Sequence, residues 1–294
     1  MHSPVINGLS VDVEDWFQVG AFEKVLSRDV WDGLEERVAG NTARVLDLFA
    51  AAGVKATFFT LGWVAERNPS LMRRIVAEGH ELASHGWDHA RVFTLGQRGF
   101  AEDLYRARTA LEDAAGVRVT GYRAPSFSID QRTPWAFETL ADHGYGYSSS
   151  VAPVAHDHYG WRAAPRFAFH PLADSPLVEI PVTTAELGER RLAAGGGGFF
   201  RVLPYAFSRW AIAQVNGREQ RPAVFYFHPW EIDPGQPRIA QAPLRSRLRH
   251  YTNLEQMAAK LGRLLADFRW GRMDELATRE AMRTVSAPAL DLAA

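Results

Sequence analysis

Hydrophobic positions change period repeatedly along the chain. Residues 9–14 alternate apolar Leu9, Val11 and Val13 with polar positions and read as a buried strand. The stretch 35–53 then places Val38, Ala43, Val45, Leu46, Leu48 and Phe49 at roughly helical spacing, with Gly53 as a natural stop. The β-branched and aromatic stretch 54–62 predicts a second strand, 68–80 a helix with Pro69 near its start and Gly79 at its end, and 81–86 a short strand. Helices over 98–115 and 133–143 lead into strands over 117–125 and 145–150. Helix–strand units in succession predict a parallel sheet, either an open doubly wound one or a closed barrel. In both, ligands sit at the C-terminal ends of the strands.

The second half is less regular. Pro- and aromatic-rich 151–176 predicts a long structured insertion, 177–184 a strand, and the glycine run 195–198 a loop or turn. A helix over 203–217, a buried strand over 223–231 ending in polar residues, and an amphipathic helix over 253–270 follow. No repeat or linker divides the chain, so 1–280 reads as a single domain and 281–294 as a frayed, disordered tail.

Composition narrows the chemistry. The 294 residues carry a net charge of −1, with arginines scattered along the chain, and so offer no electrostatic case for nucleic acid or an anionic membrane surface. No run approaches the ~18 apolar residues of a membrane span, and the N-terminus lacks a basic-then-apolar leader, so the expected location is cytoplasmic. The absence of Cys removes disulfide and thiolate chemistry, which leaves His and carboxylates for any metal site.

Four short stretches carry candidate chemistry, each at a predicted strand end. "LSVDVEDWF" (9–17) sets Asp12 and Glu14 on one face and Asp15 on the other. Ionised carboxylates inside a core require a partner or a metal, although an ion pair or a helix cap would also account for them. "SHGWDH" places His85 and His89 four apart, a spacing that on a helix or a tight loop directs two imidazoles at one divalent ion, with Glu81 and Asp88 available to orient the rings. "GYRAPSFS" ends a strand at Arg123, with Pro125 fixing the loop, and "FYFHPWE" ends one at His228. A surface ion pair and a core histidine are the plainer readings of those two residues.

In this order the motifs resemble those of the polysaccharide deacetylases, the NodB-homology enzymes of carbohydrate esterase family 4. The similarity is carried by "SVDVEDWFQV", "ATFFTLGWVAERNPSL", "GHELASHGWDH", "GYRAPSFSI", "EIPVTT", "GGGGFFRVLPY" and "FYFHPWEIDPGQPRI". The D-V-E-D first motif looks like that of the branch tied to exosortase-linked exopolysaccharide loci. The resemblance implies a distorted (β/α)7 barrel over 8–232 with a C-terminal extension over 233–280. It implies metal-dependent removal of an acetyl group from an N-acetylated oligo- or polysaccharide. Asp12 would be the base, Arg123 its anchor and His228 the acid. His85 and His89 would hold one divalent ion, zinc foremost, with cobalt, nickel and manganese compatible. The third ligand is Glu14 in a D-x-D register, or Asp15 if the strand bulges after Val13.

Pro125, Ser126, Phe127 and Trp230 fall on the implied substrate side, with a backbone N–H of 125–127 as an oxyanion donor. Trp87, Tyr159 and Trp161 are further sugar-stacking candidates. Where the family carries the carboxylate that tunes the acid His, this chain has Ser148, Ser149 and Ser150. Asp142, Asp157, Glu179 or Glu231 would substitute. Two other functions fit the same residues: hydrolysis of a small cyclic amide or imide, and sugar binding on a barrel that has lost catalysis.

Overall fold

The computed structural model describes residues 5–154, 160–188 and 190–284. The first half runs β1 (Ile6–Val13), α1 (Val38–Ala52), β2 (Thr57–Thr60), α2 (Gly62–Arg67), α3 (Pro69–Ala77), β3 (Glu81–Ser84), α4 (Val92–Ala115), β4 (Gly121–Tyr122), α5 (Trp135–Asp142) and β5 (Tyr147–Ser148). The second adds β6 (Val178–Glu179), a hairpin of β7 (Thr184–Leu187) and β8 (Arg190–Ala193), α6 (Gly197–Val202), α7 (Tyr205–Ala213) and β9 (Val224–Phe227). It closes with α8 (Leu244–Tyr251), α9 (Leu254–Asp267), β10 (Arg269–Gly271) and α10 (Met273–Thr284).

Outside the hairpin, the pairings between these strands are parallel, in the order β10–β1–β2–β3–β4–β5–β6, with β9 also against β1; an isolated antiparallel bridge joins Phe169 to Glu179 of β6. β1 is the hub, pairing β10 through residues 6–8, β9 through 8–11 and β2 through 10–13. The sheet curls until the segment after β6 meets β9: Thr183 N–H donates to Val224 O (3.3 Å) and Tyr226 N–H to Gly195 O (2.8 Å). The result is a curled half-barrel rather than an open sheet, and its central strands are buried on both faces, as parallel strands flanked by helices must be. Leu9, Val11, Val13, Phe225 and Phe227 are all fully buried. Burying each such side chain contributes about 1.5–3 kcal/mol. One buried cluster draws on residues from Leu9 to Trp270, so both halves of the chain build the same core.

Departures from the sequence pattern have local causes. The glycine run does not stop at a turn, because Gly197 opens α6. A Cβ at Gly195 would collide with Val224 O, and one at Gly197 with the Glu231 carboxylate, so these glycines serve close approach. The strand expected over 223–231 ends at Phe227, because Pro229 lacks an N–H and opens a one-turn 3-10 helix, Pro229–Ile232. α10 continues to Thr284, past the start of the expected tail, and Met273 Sδ lies where a Cβ at Gly8 would be only 2.5 Å away. Residues 285–294 lie outside the described residues. The hairpin, α8 and β10 have no counterpart in the pattern. Among the described residues no helix is long and apolar enough to cross a membrane.

Candidate metal centre

β1 ends at Val13, and the Glu14 N–H turns back to Asp12 O (3.1 Å), closing a three-residue turn. The neighbouring carboxylates then part. Asp15 Oδ2 accepts the N–H groups of Arg37 (2.7 Å) and Val38 (2.9 Å), and Oδ1 that of Trp16 (2.8 Å), so Asp15 caps the entry to α1. Glu14 stays at the end of the strand, with Oε2 2.9 Å from His89 Nε2. Geometry therefore separates the two candidate ligands without a bulge.

His85 and His89 lie on a loop after β3, not on a helix, with left-handed backbone at Gly86 (φ 77°) and His89 (φ 63°). The loop is held by Asp103 on α4, whose two oxygens accept the Trp87 N–H at 3.1 and 3.2 Å. Burial pushes the Asp103 carboxyl up to about 7. Nothing near Asp103 in the sequence marks this role. His85 Nδ1 lies 2.9 Å from Arg123 O. A carbonyl only accepts, so Nδ1 carries the proton and Nε2 presents its lone pair. The expected ring-orienting acids act elsewhere. Glu81 is bonded by Thr57 Oγ1 (2.5 Å), Tyr147 OH (2.8 Å) and Asp274 N–H (3.0 Å), at the opposite end of β3, and Asp88 pairs with Arg28 (2.8 Å).

One ligand atom from each of Glu14, His85 and His89 lies within 4.8 Å of the others. Glu14 Oε2 is buried and accepts no hydrogen bond, despite its 2.9 Å approach to His89. An orphaned carboxylate oxygen converging with two imidazole nitrogens is a donor set that fits a divalent cation. Burial holds His85 down at about 4, and hence neutral. Burial raises Glu14, but His89 and His228 outweigh it and hold the carboxyl at about 2. A neutral His85 and an ionised Glu14 suit a bound cation, and ligation through His89 Nε2 would require that nitrogen to be free of its proton as well.

Two further pairs flank this centre. Arg123 is completely buried and donates from Nη1 to Asp12 Oδ1 (2.6 Å) and Ser10 Oγ (2.7 Å), from Nε to Ser149 O (3.0 Å) and from Nη2 to Ser149 Oγ (2.9 Å). Its carbon Cζ lies 4.2 Å from the centroid of the Phe59 ring. On the other flank His228 keeps 19 % of its side chain exposed, with Nε2 3.5 Å from Glu14 Oε1 and Nδ1 2.8 Å from Glu231 Oε1. Burial pulls His228 down, yet Glu14 and Glu231 outweigh it and raise the imidazole to about 9.

Of the four substitute carboxylates considered for His228, Glu231 is thus the one in contact with it. Glu179 instead accepts the N–H groups of Ser150 and Val151 (2.8 Å each), Asp142 ends α5, and Asp157 lies outside the described residues. Glu231 Oε2 in turn takes Arg201 Nε at 2.6 Å. Arg201 carries no sequence signal beyond its place after the glycine run.

Pro125–Phe127 forms a single 3-10 turn with left-handed backbone at Ser126 (φ 54°) and Phe127 (φ 49°), strain of the kind that gathers at binding sites. The Phe127 N–H donates to Ala124 O (3.0 Å) and Pro125 has none, so only Ser126 can offer an outward N–H from this turn. Trp87, Phe127, Trp161 and Trp230 are each at most 8 % exposed and act as walls rather than open stacking platforms. Trp230 also donates from Nε1 to Glu14 Oε1 (3.3 Å). Tyr159 lies outside the described residues.

A curled parallel sheet with strand-end His, carboxylate and Arg groups defines a NodB-type (β/α)7 fold. Two solved structures share it over nearly their whole length. A candidate polysaccharide deacetylase from Mycobacterium smegmatis aligns with TM-score 0.61 and 20% identity, covering 99% of this chain and 98% of that one. A second candidate, from Pseudomonas aeruginosa PAO1, aligns with TM-score 0.62 and 17% identity, covering 96% and 92%. Residues 29–147 match the polysaccharide deacetylase family model, and residues 149–278 match a domain of unknown function.

A chitin deacetylase from Pestalotiopsis sp is 38% identical over 107 residues, 35% of this chain and 35% of that protein. A peptidoglycan-N-acetylglucosamine deacetylase from Listeria monocytogenes is 33% identical over 91 residues, 31% and 20% of the two. The chain spans about a third or less of the length of these two curated relatives. Asp12, Glu14 and His228 fall outside residues 29–147.

Proposed function

We propose that the chain is a metal-dependent hydrolase that removes the N-acetyl group from an amino sugar of a bacterial exopolysaccharide or its precursor. The observation that carries this reading is the convergence of Glu14, His85 and His89 between a buried Asp12–Arg123 pair and a partly open His228–Glu231 pair. Glu14, His85 and His89 would hold a divalent ion, which would supply polarisation of the amide carbonyl and a lowered pKa for water.

The protein's own groups do the rest. Arg123 holds Asp12 in place, so Asp12 can take a proton from the attacking water as its oxygen bonds to the acetyl carbon. A backbone N–H of the 125–127 turn, by elimination that of Ser126, would donate to the oxyanion. His228, oriented through Nδ1 by Glu231 (2.8 Å), delivers its proton to the nitrogen as the C–N bond breaks. The products are acetate and a free amine. Relatives named as chitin, peptidoglycan-N-acetylglucosamine and chitooligosaccharide deacetylases support an N-acetylated sugar, and the D-V-E-D first motif supports the exopolysaccharide branch.

The test is acetate release from an N-acetylated chitooligosaccharide by zinc- or cobalt-loaded protein, set beside hydrolysis of a cyclic imide. Turnover of the sugar alone is expected. Turnover of the imide alone would move the chain to the cyclic amide hydrolases, and turnover of neither, with no metal bound, to the sugar-binding reading.

A further inference from the structure

The net charge of −1 hides a local excess. Residues 234–254 contain Arg238, Arg245, Arg247 and Arg249 and no acidic residue, which corrects the view that the arginines are merely scattered. Three of the four lie on α8. At about 100° per residue, Leu244 and Leu248 centre one face of α8, with Arg247 on one flank and Arg245 and Arg249 on the other. Ser246 and His250 fall opposite. Exposure follows this wheel up to the last turn: Leu244 is 68% and Leu248 59% exposed and the three arginines are exposed, while His250 is buried. Tyr251 returns to the leucine face and is half-buried, its OH accepting the Ile239 N–H (2.9 Å) and donating to Pro237 O (3.1 Å), so the exposed apolar face is the first turn and a half of α8. Among the described residues no carboxylate pairs with Arg238, Arg247 or Arg249.

α8 is firmly mounted. His250 stacks on Trp230 with centroids 4.1 Å apart and planes 15° from parallel, and His228 stacks on Trp230 at 5.1 Å and 18°. Arg201 clamps the last turn by donating to the carbonyls of Arg249 (3.2 Å), His250 (3.0 Å) and Thr252 (2.7 Å). The leucine face is therefore held rigidly outward, with one aromatic ring between the buried side of α8 and the metal centre.

Two exposed leucines flanked on both sides by arginines are the pattern of a helix that lies in a lipid interface, with apolar side chains among the acyl chains and guanidiniums at the phosphates. A soluble polyanion would engage the arginines and leave the leucines in water. An anionic bilayer uses both. We propose that α8 is a docking surface for an anionic lipid membrane, which seats the metal centre next to the bilayer. This contact is independent of the activity proposed above, so either can fail alone.

Flotation with phosphatidylcholine vesicles, with and without phosphatidylglycerol, tests it. Binding is expected only with phosphatidylglycerol and is expected to weaken with salt. It should fall roughly fivefold for each of Arg247→Gln and Arg249→Gln, and roughly tenfold for the Leu244→Ser/Leu248→Ser pair. All four sites are exposed, and unchanged urea midpoints verify that the variants remain folded. No binding by the unaltered protein overturns the proposal, as does binding that both sets of variants leave intact. Loss with the arginine variants but not the leucine pair, together with competition by heparin, assigns α8 to a soluble polyanion instead.

Discussion

Replacing Asp15 separates two adjacent carboxylates that look equivalent in sequence. Its two oxygens satisfy three backbone N–H groups, those of Trp16, Arg37 and Val38, at 2.7–2.9 Å. In Asp15→Asn the carbonyl oxygen can keep Arg37 and Val38, but the amide NH2 then faces the Trp16 N–H. One hydrogen bond is lost and two donors oppose each other, at a cost of about 1–3 kcal/mol. Asp15→Ala orphans all three donors, on the order of 3–6 kcal/mol, against a total stability of about 5–15 kcal/mol. The Asn variant is therefore the informative one. Urea unfolding should show a lowered midpoint at unchanged slope, and zinc titration should still give one site of unaltered affinity. An Asp15→Asn protein with wild-type stability and weakened zinc binding would refute the assignment of Asp15 to the helix cap and Glu14 to the ion.

Three other outcomes follow from the same geometry. Glu231→Gln breaks a buried pair with Arg201 and removes the carboxylate from His228; stability should fall by about 3–5 kcal/mol in urea, and kcat should fall with KM nearly unchanged. Gly197→Ala places a Cβ against that same carboxylate, so activity should drop while zinc stoichiometry is kept. Burial raises Glu81 from 4.5 to about 8, so between those values the folded state holds a proton that the unfolded chain has released, and stability falls as pH rises. Glu81→Gln should remove this slope and be the more stable protein at pH about 9, as urea midpoints at two pH values will show.

The strand ends were legible because burial and polarity change together there. β2 and β9 read as strands from apolar and aromatic runs and β1 from alternating apolar positions, and Asp12, Arg123 and His228 stand out at the ends of strands. What connects distant segments was not legible. Arg201 meets Glu231 across 30 residues, and Asp103 meets Trp87 across 16, through packing that no local period encodes. α8 was missed because its few apolar positions, Leu244, Leu248 and Tyr251, are interleaved with arginines, and the two leucines face outward. α10 begins after a three-residue strand and owes its place to the space above Gly8.

The central claim is that Glu14, His85 and His89 together hold one catalytic divalent ion. Calorimetric zinc titration of the metal-free protein and of Glu14→Gln tests it most directly, with acetate release measured on the same samples. The account predicts one tight site and metal-restored deacetylation in the wild type, and loss of both in a Glu14→Gln protein that unfolds at the same urea concentration. Undiminished zinc affinity and acetate release in Glu14→Gln would contradict it.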